Sequence, residues 1–376
     1  MIENSFDELF TYESLYQAHM RGRVGKRDKK PLVRFEMSML ENLYNVYSQL
    51  QSGKFKLKGY SNFSVYEPKK REIQTLHYCD RVVQHVLCDG ALAPYFTKHA
   101  ILDNAVCQKG KGTLFALQRF EAMLRKFVHT HGVNGYILKC DILKYFPTMP
   151  HAQLKRIICS EIRDKRLKKL VEDIVDSYCT KAEYLKNCGV EPIGDNPADT
   201  GRGIPIGNQT SQVFGMYYLN EVDRLIKEKL RVKVYSRYMD DFVLVHEDRR
   251  FLQRALEEIQ KTITELGLKF NSKTQIFPLK NGVTYLGFRY FFTPDGKLIK
   301  TVKKKTKRRL RWRARLLKKA RLDGIIDGER VRQSLAAFHG HLKFSQSYKI
   351  ETELSKKLAP YATDGAGIRR KNAASR

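Results

Sequence analysis

Residues 232–246 read Val-Lys-Val-Tyr-Ser-Arg-Tyr-Met-Asp-Asp-Phe-Val-Leu-Val-His. Both arms of this stretch are rich in β-branched and aromatic residues, and Met-Asp-Asp interrupts them with residues that tolerate turns. The pattern predicts a β-hairpin with two carboxylates, Asp240 and Asp241, at its tip. Because consecutive side chains on a strand face opposite sides, we expect the two to have unequal roles. Taken alone, such a pair is more typical of a solvated acidic turn.

The composition indicates a polyanionic partner. The 376 residues include 70 Lys and Arg against 40 Asp and Glu, which gives a formal net charge of +30. Nucleic acid is the first candidate for such a partner. We expect no membrane partner, because no apolar run approaches the length of a spanning helix. The N-terminal residues lack the layout of a signal peptide, and the seven cysteines include no C-x-x-C pair, so we expect a cytoplasmic protein without a zinc site.

A third carboxylate stands at the end of another predicted strand. The apolar segment 135–141 ends in Asp141, just before an aromatic turn and a helix that starts near Pro150. An ordinary strand-terminal Asp is the alternative interpretation. If Asp141 and Asp240 end neighbouring strands, their carboxylates could hold two Mg²⁺ ions about 4 Å apart, as in polymerases and nucleases. Lys70, Arg71 and Lys273 could then face the phosphates.

Other segments have clear local patterns. A basic turn at 68–71 separates two strand-like arms, and the polar segment 203–212 precedes an apolar helix. A Thr-Pro-Asp-Gly turn at 293–296 predicts a hairpin, and 300–321 is a densely basic helix or arm. Hydrophobic spacing predicts single elements in four further segments: helices over 32–50, over 80–93 up to Pro94, and over 155–178, and a strand over 268–277.

Together these motifs resemble the palm of a reverse transcriptase. The resemblance extends from the basic turn at 68–71 to Phe288, with the motifs in the expected order. It implies an α+β right-hand polymerase fold with fingers, an antiparallel palm sheet packed by helices, and a helical thumb. The implied division is 1–135 for an N-terminal extension and the fingers, 136–292 for the palm, with finger-palm helices around 150–200, and 293–376 for the thumb and tail.

The resemblance also implies roles for individual residues. Asp141 and Asp240 resemble the direct metal ligands, with Asp241 as the third carboxylate, for two Mg²⁺ ions that Mn²⁺ can replace. Phe146 resembles the steric gate that selects dNTPs, and Lys273 the lysine proposed to protonate pyrophosphate. The remaining matches concern the nucleotide, held by Lys70, Arg71, Ile206, Gly207 and Gln212, and the primer grip, formed by Tyr285, Leu286, Gly287 and Phe288.

One segment departs from most reverse transcriptases. Where they carry Gln-Gly-x-x-x-Ser-Pro, this chain has Ile206-Gly-Asn-Gln-Thr-Ser-Gln212. Ile206 and Gln212 resemble the reverse transcriptases of diversity-generating retroelements, in which the residue matching Ile206 is associated with low fidelity at template adenines. An isoleucine cannot donate the amide hydrogen bonds of glutamine. This resemblance implies mutagenic retrohoming from a retroelement RNA template, a DNA primer or RNA/DNA hybrid, a small basic accessory protein, and a bacterial or phage origin.

Two alternatives stay open. The nearest is another bacterial reverse transcriptase: a group II intron-like, retron or antiphage enzyme. The other is a catalytically idle RNA-binding protein that keeps the palm shape, against which the three intact aspartates argue.

Overall fold

The computed structural model describes residues 1–66, 71–194, 196 and 199–363. The helices before the Asp-Asp stretch are α1 (Phe6–Leu9), α2 (Tyr12–Gly22), α3 (Lys30–Glu36), α4 (Met39–Gln51), α5 (Tyr78–Leu87), α6 (Ala93–His99), α7 (Thr113–His131), α8 (Tyr145–Thr148), α9 (His151–Cys159), α10 (Lys165–Asp176), α11 (Ala182–Asn187), α12 (Gln209–Tyr218) and α13 (Asn220–Arg224). The helices after it are α14 (Arg249–Glu265), α15 (Lys304–Leu322), α16 (Gly328–Leu342) and α17 (Tyr348–Leu358).

The strands form three small sheets. They are β1 (Tyr60–Val65), β2 (Arg71–Leu76), β3 (Tyr136–Asp141), β4 (Val234–Tyr238), β5 (Asp241–His246), β6 (Gln275–Pro278), β7 (Val283–Tyr285), β8 (Phe288–Phe292) and β9 (Leu298–Val302). One sheet is the pair β1-β2, the second has the order β4-β5-β3-β6, and the third has the order β7-β8-β9. Short π-helical turns cover Cys88–Leu92 and Leu225–Lys229, and 3₁₀ turns cover Leu279–Asn281 and Ala359–Tyr361.

The mixture of helices with antiparallel sheets confirms the predicted α+β class. β1 pairs with β2, β4 with β5, and β8 with both β7 and β9, all antiparallel. The chain divides into two compact units: Met1–Met123 with Leu138–Ile276, and Leu124–Ile137 with Phe277–Arg376. The predicted three-part division into fingers, palm and thumb stays a prediction.

The first unit is organised around β5. Phe242, Val243 and Leu244 are fully buried there, and α14 packs against this strand. Side chains on both faces of the strand are covered, which explains why this arm is continuously apolar instead of alternating. Each fully buried side chain of this size stabilises the fold by roughly 1.5–3 kcal/mol. The interior therefore fixes the position of the strand that begins at Asp241.

The second unit combines the three-stranded sheet with helices α15, α16 and α17, which pack on one another. The pairing of Phe292 with Leu298 confirms the hairpin predicted from the 293–296 turn. Among the residues of α15, only Leu310 and Ala314 are buried, and Trp312 is 51% exposed. The predicted basic segment 300–321 is therefore partly the end of β9 and mainly α15.

Several predicted boundaries were wrong. The segment 32–50 is not one helix, because the backbone leaves helical geometry at Ser38, between α3 and α4. Pro94 does not end a helix; it lies in the first turn of α6, where a missing N–H is least costly. The segment 155–178 is divided between α9 and α10, and the Asp164 side chain caps the second by accepting from the Leu167 amide.

The predicted strand over 268–277 was also wrong. Only β6, from Gln275, is a regular strand, and a turn at Ser272 and Lys273 precedes it. The turn follows an isolated bridge between Phe270 and Ile142. The strand-forming residues of this segment therefore take part in two short pairings, the bridge from Phe270 to Ile142 and the pairing of β6 with β3, with a turn between them.

Candidate active site

The tip of the predicted hairpin is a tight, strained turn. Tyr238 pairs with Asp241 across β4 and β5, so only Met239 and Asp240 connect the strands. Met239 has a φ of +57°, which is uncommon for a residue other than glycine and costs energy. Asp241 is the first residue of β5, whereas Asp240 lies in the turn itself. The two neighbouring carboxylates therefore have different backbone environments.

A buried arginine holds this turn from inside the protein. The side chains of Arg237 and Asp223 are both fully buried, and the Arg237 Nε donates to Asp223 Oδ1 at 2.7 Å. The Arg237 Nη1 donates to the Met239 carbonyl oxygen at 3.1 Å, and the Tyr235 hydroxyl donates to Asp223 at 2.6 Å. Burial alone would lower the pKa of Arg237, but the Asp223 charge and hydrogen bonds raise it. The guanidinium therefore stays charged and links the strained turn to α13.

The strand edge next to the turn is also covered. The Arg237 amide donates to the Asp103 carbonyl oxygen at 3.2 Å, and the Ala105 amide donates to the Arg237 carbonyl at 3.4 Å. Lys227 pairs with the Asp103 carboxylate at 3.0 Å. The outer edge of β4 thus has backbone partners at Arg237, and the turn that follows is half-buried.

Asp141 lies on the strand next to β5. It is the last residue of β3, which stands between β5 and β6 in the sheet. Its backbone is fixed by the turn that follows: the Asn271 amide donates to the Asp141 carbonyl at 2.8 Å, and the Asp141 amide donates to Thr274 Oγ1 at 3.2 Å. Lys273 lies between Asn271 and Thr274 in the sequence, and its side chain is exposed. The predicted lysine is therefore part of a turn that is bonded to the Asp141 backbone.

The electrostatics show that the three carboxylates interact. The pKa of Asp240 is raised to about 6, first by burial and then by the negative charges of Asp141 and Asp241, while Arg71 lowers it. Lys139, two residues before Asp141 on β3, pairs with Asp241 Oδ1 at 3.2 Å. Asp240 is therefore affected by both neighbouring carboxylates, and the exposed Arg71 is a cation near enough to oppose their effect.

The oxygen donors suit a hard divalent cation such as Mg²⁺. Within the described ranges, no group of three His, Cys, Asp or Glu side chains is already arranged to hold a metal ion. Burial is the first cause of the raised Asp240 pKa, and the repulsion from Asp141 and Asp241 that adds to it is the kind that a bound cation relieves. Asp141 and Asp240 are the carboxylates that could hold such an ion, since part of the Asp241 carboxylate is paired with Lys139.

Two glycines allow close packing around the predicted nucleotide residues. Gly207 has a φ of +127°, and a Cβ there would stand 3.0 Å from the Gln74 carbonyl oxygen. A Cβ on Gly215 of α12 would stand 2.7 Å from the Phe146 ring. A side chain at position 207 would push the segment that carries Ile206 away from β2. A side chain at position 215 would push α12 away from the Phe146 ring.

Family comparison gives the context for this geometry. Residues 67–290 match the family described as reverse transcriptase (RNA-dependent DNA polymerase), which is well over half of the chain. This chain belongs to the reverse transcriptase family. Enzymes of this family are RNA-directed DNA polymerases that bind a nucleic acid template and a primer and generally use divalent metal ions.

The other comparisons add little to this assignment. The structure of apo telomerase from Candida Tropicalis is similar to this reverse transcriptase with a TM-score of 0.44 and 13% sequence identity. The match covers 66% of this chain and 50% of that chain, so this chain spans about half the length of the telomerase chain it matches. No curated protein sequence matches it.

The remaining predicted residues of this reverse transcriptase differ in exposure. Gln212 is exposed on α12 and accepts a hydrogen bond from the Cys107 thiol at 3.6 Å, while Ile206 is half-buried. Arg71 was predicted to lie in the basic turn, but it is the first residue of β2, where it pairs with Val65 and is exposed. Lys70 lies outside the described residues. No helix in the described ranges has both the length and the apolar character needed to cross a bilayer.

The predicted primer grip belongs to the second unit. Leu286 and Gly287 form the two-residue turn between β7 and β8, with φ values of +45° and +93°. The Tyr285 and Phe288 side chains are buried in that unit. Only the turn itself, and not the aromatic rings beside it, is accessible to a ligand.

Several residues that shape this site were missed in the sequence. The sequence pattern places Arg237 in the hairpin without a role of its own and gives no reason to select Asp223 or Lys139. Ser236 precedes Arg237, and Glu221 and Arg224 stand close to Asp223, so neither partner of the buried pair interrupts an apolar run. Gly215 within an apolar helix does give a signal, because it indicates close packing.

Proposed function

We propose that this reverse transcriptase copies an RNA template into cDNA by two-metal nucleotidyl transfer at Asp141, Asp240 and Asp241. The observation that carries the proposal is the gathering of three carboxylates from β3 and the β4-β5 turn, with Arg71 close enough to act on Asp240. A solvated acidic turn would not need a buried arginine to hold it. The family assignment supplies the reaction class.

Asp141 and Asp240 are the proposed direct metal ligands, and Asp241 is the third carboxylate. Two Mg²⁺ ions, or Mn²⁺ in their place, supply charge neutralisation and Lewis acidity when bound. The protein contributes position: Arg237 holds the turn that carries Asp240, and the 271–274 turn holds the Asp141 backbone. Lys139 keeps part of the Asp241 carboxylate occupied, which supports an auxiliary role for that residue.

The remaining roles concern the nucleotide and the duplex. Lys70 and Arg71 bind the triphosphate, and Lys273 protonates the leaving pyrophosphate. Phe146, fixed against Gly215, excludes a 2′-hydroxyl and selects dNTPs. Ile206, Gly207 and Gln212 surround the incoming base, and Leu286 with Gly287 contacts the primer strand. The basic α15 binds phosphates of the template, primer or hybrid.

The finer proposal is a reverse transcriptase of a diversity-generating retroelement. Ile206 and Gln212 support it, because the amide of the usual glutamine is replaced by an apolar side chain at the proposed base site. The enzyme would copy a retroelement RNA with errors at template adenines, in the cytoplasm of a bacterium or a phage-infected cell. A small basic accessory protein would be its partner.

Replacing Asp240 with Asn tests the metal assignment. Asp240→Asn keeps the shape of the side chain but removes its charge, so we expect extension of oligo(dT) on poly(rA) with Mg²⁺ to fall at least about 100-fold. RNA binding should persist, because the basic surface is unchanged. The control is Asp173→Asn, a half-exposed surface aspartate paired with Lys169 on α10. Extension by Asp240→Asn at the control rate would contradict the proposed site.

Replacing Ile206 with Gln tests the fidelity proposal. Ile206→Gln restores an amide that can bond to the base or sugar, so misincorporation opposite template adenine should fall about 2- to 10-fold. Sequencing of cDNA made by the purified protein measures the change. Ile193→Gln, at a 54% exposed position in a neighbouring loop, is the matched control. Equal error spectra for wild type and Ile206→Gln would remove the retroelement argument while leaving the polymerase assignment intact.

A further inference from the structure

The backbone of Ile206 is held by one glutamine on β2. The main-chain N–H of Gln74 donates to the Ile206 carbonyl oxygen at 3.0 Å, and the main-chain N–H of Ile206 donates to the Gln74 side-chain Oε1 at 3.1 Å. Gln74 is only 7% exposed. The main chain and the side chain of Gln74 thus bond to the carbonyl and the N–H of the same residue, Ile206. No pattern in the sequence indicated this contact.

The neighbouring residues of the segment are held differently. The Asn208 side chain donates to the Tyr60 hydroxyl at 3.4 Å, and the Thr210 hydroxyl donates to Gln84 at 3.0 Å. Those contacts fix side chains at the start of α12. Among the hydrogen bonds of the described residues, those from Gln74 are the ones that fix the Ile206 main chain, immediately before Gly207 and its positive φ.

The same strand carries a residue of the candidate site. Arg71, which is proposed to bind the triphosphate, begins β2 three residues before Gln74. The packing of Ile73 and the Gln74 carbonyl against Gly207 leaves no room for a side chain at that glycine. A shift of the 206–207 peptide is therefore coupled to β2, and through it to the residue proposed to bind the triphosphate.

We infer that Gln74 is a positioning residue that sets nucleotide selectivity by fixing the Ile206–Gly207 backbone against β2. The inference rests on the proposed function, in which this backbone borders the incoming base. The Gln74 side chain does not touch the reacting atoms. Its effect should appear in the binding of the nucleotide and in the error rate, and not in the chemical step.

The decisive variant removes only the side-chain acceptor. Gln74→Leu keeps the size of the side chain and the main-chain bond but leaves the Ile206 amide without its partner, so the peptide can rotate toward another acceptor. On poly(rA)/oligo(dT) we expect the KM for dTTP to rise about 2- to 10-fold, with kcat within about twofold of wild type. Errors opposite template adenine should change in the same variant.

Two further variants separate positioning from stability. Gln74→Glu keeps a side-chain oxygen at the position of Oε1 as the acceptor and should restore KM toward the wild-type value. Gln51→Leu makes the same substitution at a glutamine whose amide donates to the Phe10 carbonyl oxygen at 2.9 Å, outside the candidate site, and should leave KM unchanged. Hydrogen exchange of the peptide covering 203–208, followed by mass spectrometry, should be faster in Gln74→Leu and normal in the other two.

The outcomes are distinguishable. A raised KM, faster exchange and rescue by Gln74→Glu would support the inference. The inference is overturned if the 203–208 peptide exchanges at the same rate in Gln74→Leu and Gln51→Leu. It is also overturned if exchange is faster in Gln74→Leu but neither KM nor the error rate changes. In both cases the proposed polymerase function is unaffected. If the wild-type protein does not extend the primer at all, the proposed function fails first, and the inference fails with it.

Discussion

Each of the two compact units contains an arginine that donates hydrogen bonds to both oxygens of a carboxylate. The two pairs differ mainly in burial. Arg237 and Asp223 in the first unit are both fully buried. Arg311 and Glu353 in the second unit are 44% and 41% exposed, with hydrogen bonds of 2.8–3.0 Å. The same chemistry therefore occurs in two dielectric environments within one chain.

The difference shows what a buried pair contributes besides its charge. Arg237 also donates to the carbonyl oxygens of Met216 and Met239, so two further donors of its guanidinium are used inside the protein. Burying a charge pair is costly, and replacing such a pair with apolar residues is often neutral or stabilising. The pair next to the Asp240 turn is thus better explained by the position it enforces than by net stability. Arg311 has no comparable commitment to a strained turn.

The largest effect should follow from breaking the buried pair. Arg237→Met leaves the Asp223 carboxylate buried without its cation, so we expect a loss of about 3–5 kcal/mol in the free energy of unfolding. The Met239 turn loses its anchor as well, and primer extension should fall about 100-fold at a temperature where the variant is folded. Urea unfolding and extension on poly(rA)/oligo(dT) measure the two quantities.

A double variant distinguishes stability from position. Arg237→Met with Asp223→Leu removes both charges and should recover much of the lost stability. Activity should stay low, because the Met239 carbonyl still lacks its donor. If activity recovers together with stability, the buried pair only stabilises the fold. It would then not differ from the Arg311 pair in positioning a turn.

Local patterns in the sequence predicted the elements that carry the chemistry. The apolar arms and the Met-Asp-Asp turn predicted β4 and β5, and the segment ending in Asp141 predicted β3. The sequence alone does not place β3 next to β5, because strand order depends on contacts between residues far apart in the chain. The family resemblance, and not the spacing, supplied the expectation that these carboxylates belong together.

What the sequence did not predict has physical reasons. The burial of Arg237 depends on Asp223, 14 positions earlier, in a helix whose direction local periodicity does not fix. The bond from the Ile206 amide to Gln74 joins residues 132 positions apart. The break at Ser38 was not predicted, and the predicted helix end at Pro94 was wrong, because intrinsic propensity is a weak guide where tertiary packing decides the boundary.

The smallest effect should come from the exposed pair. Arg311→Met should lower the free energy of unfolding far less than Arg237→Met does, because water already solvates both partners, and less still at high salt. The hydrogen bond to Arg311 lowers the pKa of Glu353, so any stabilisation is present above the ordinary glutamate pKa and is lost as the pH falls through the lowered value. Urea unfolding at neutral and acidic pH, at low and high salt, measures this. A loss comparable to that of Arg237→Met would show that burial is not what separates the two pairs.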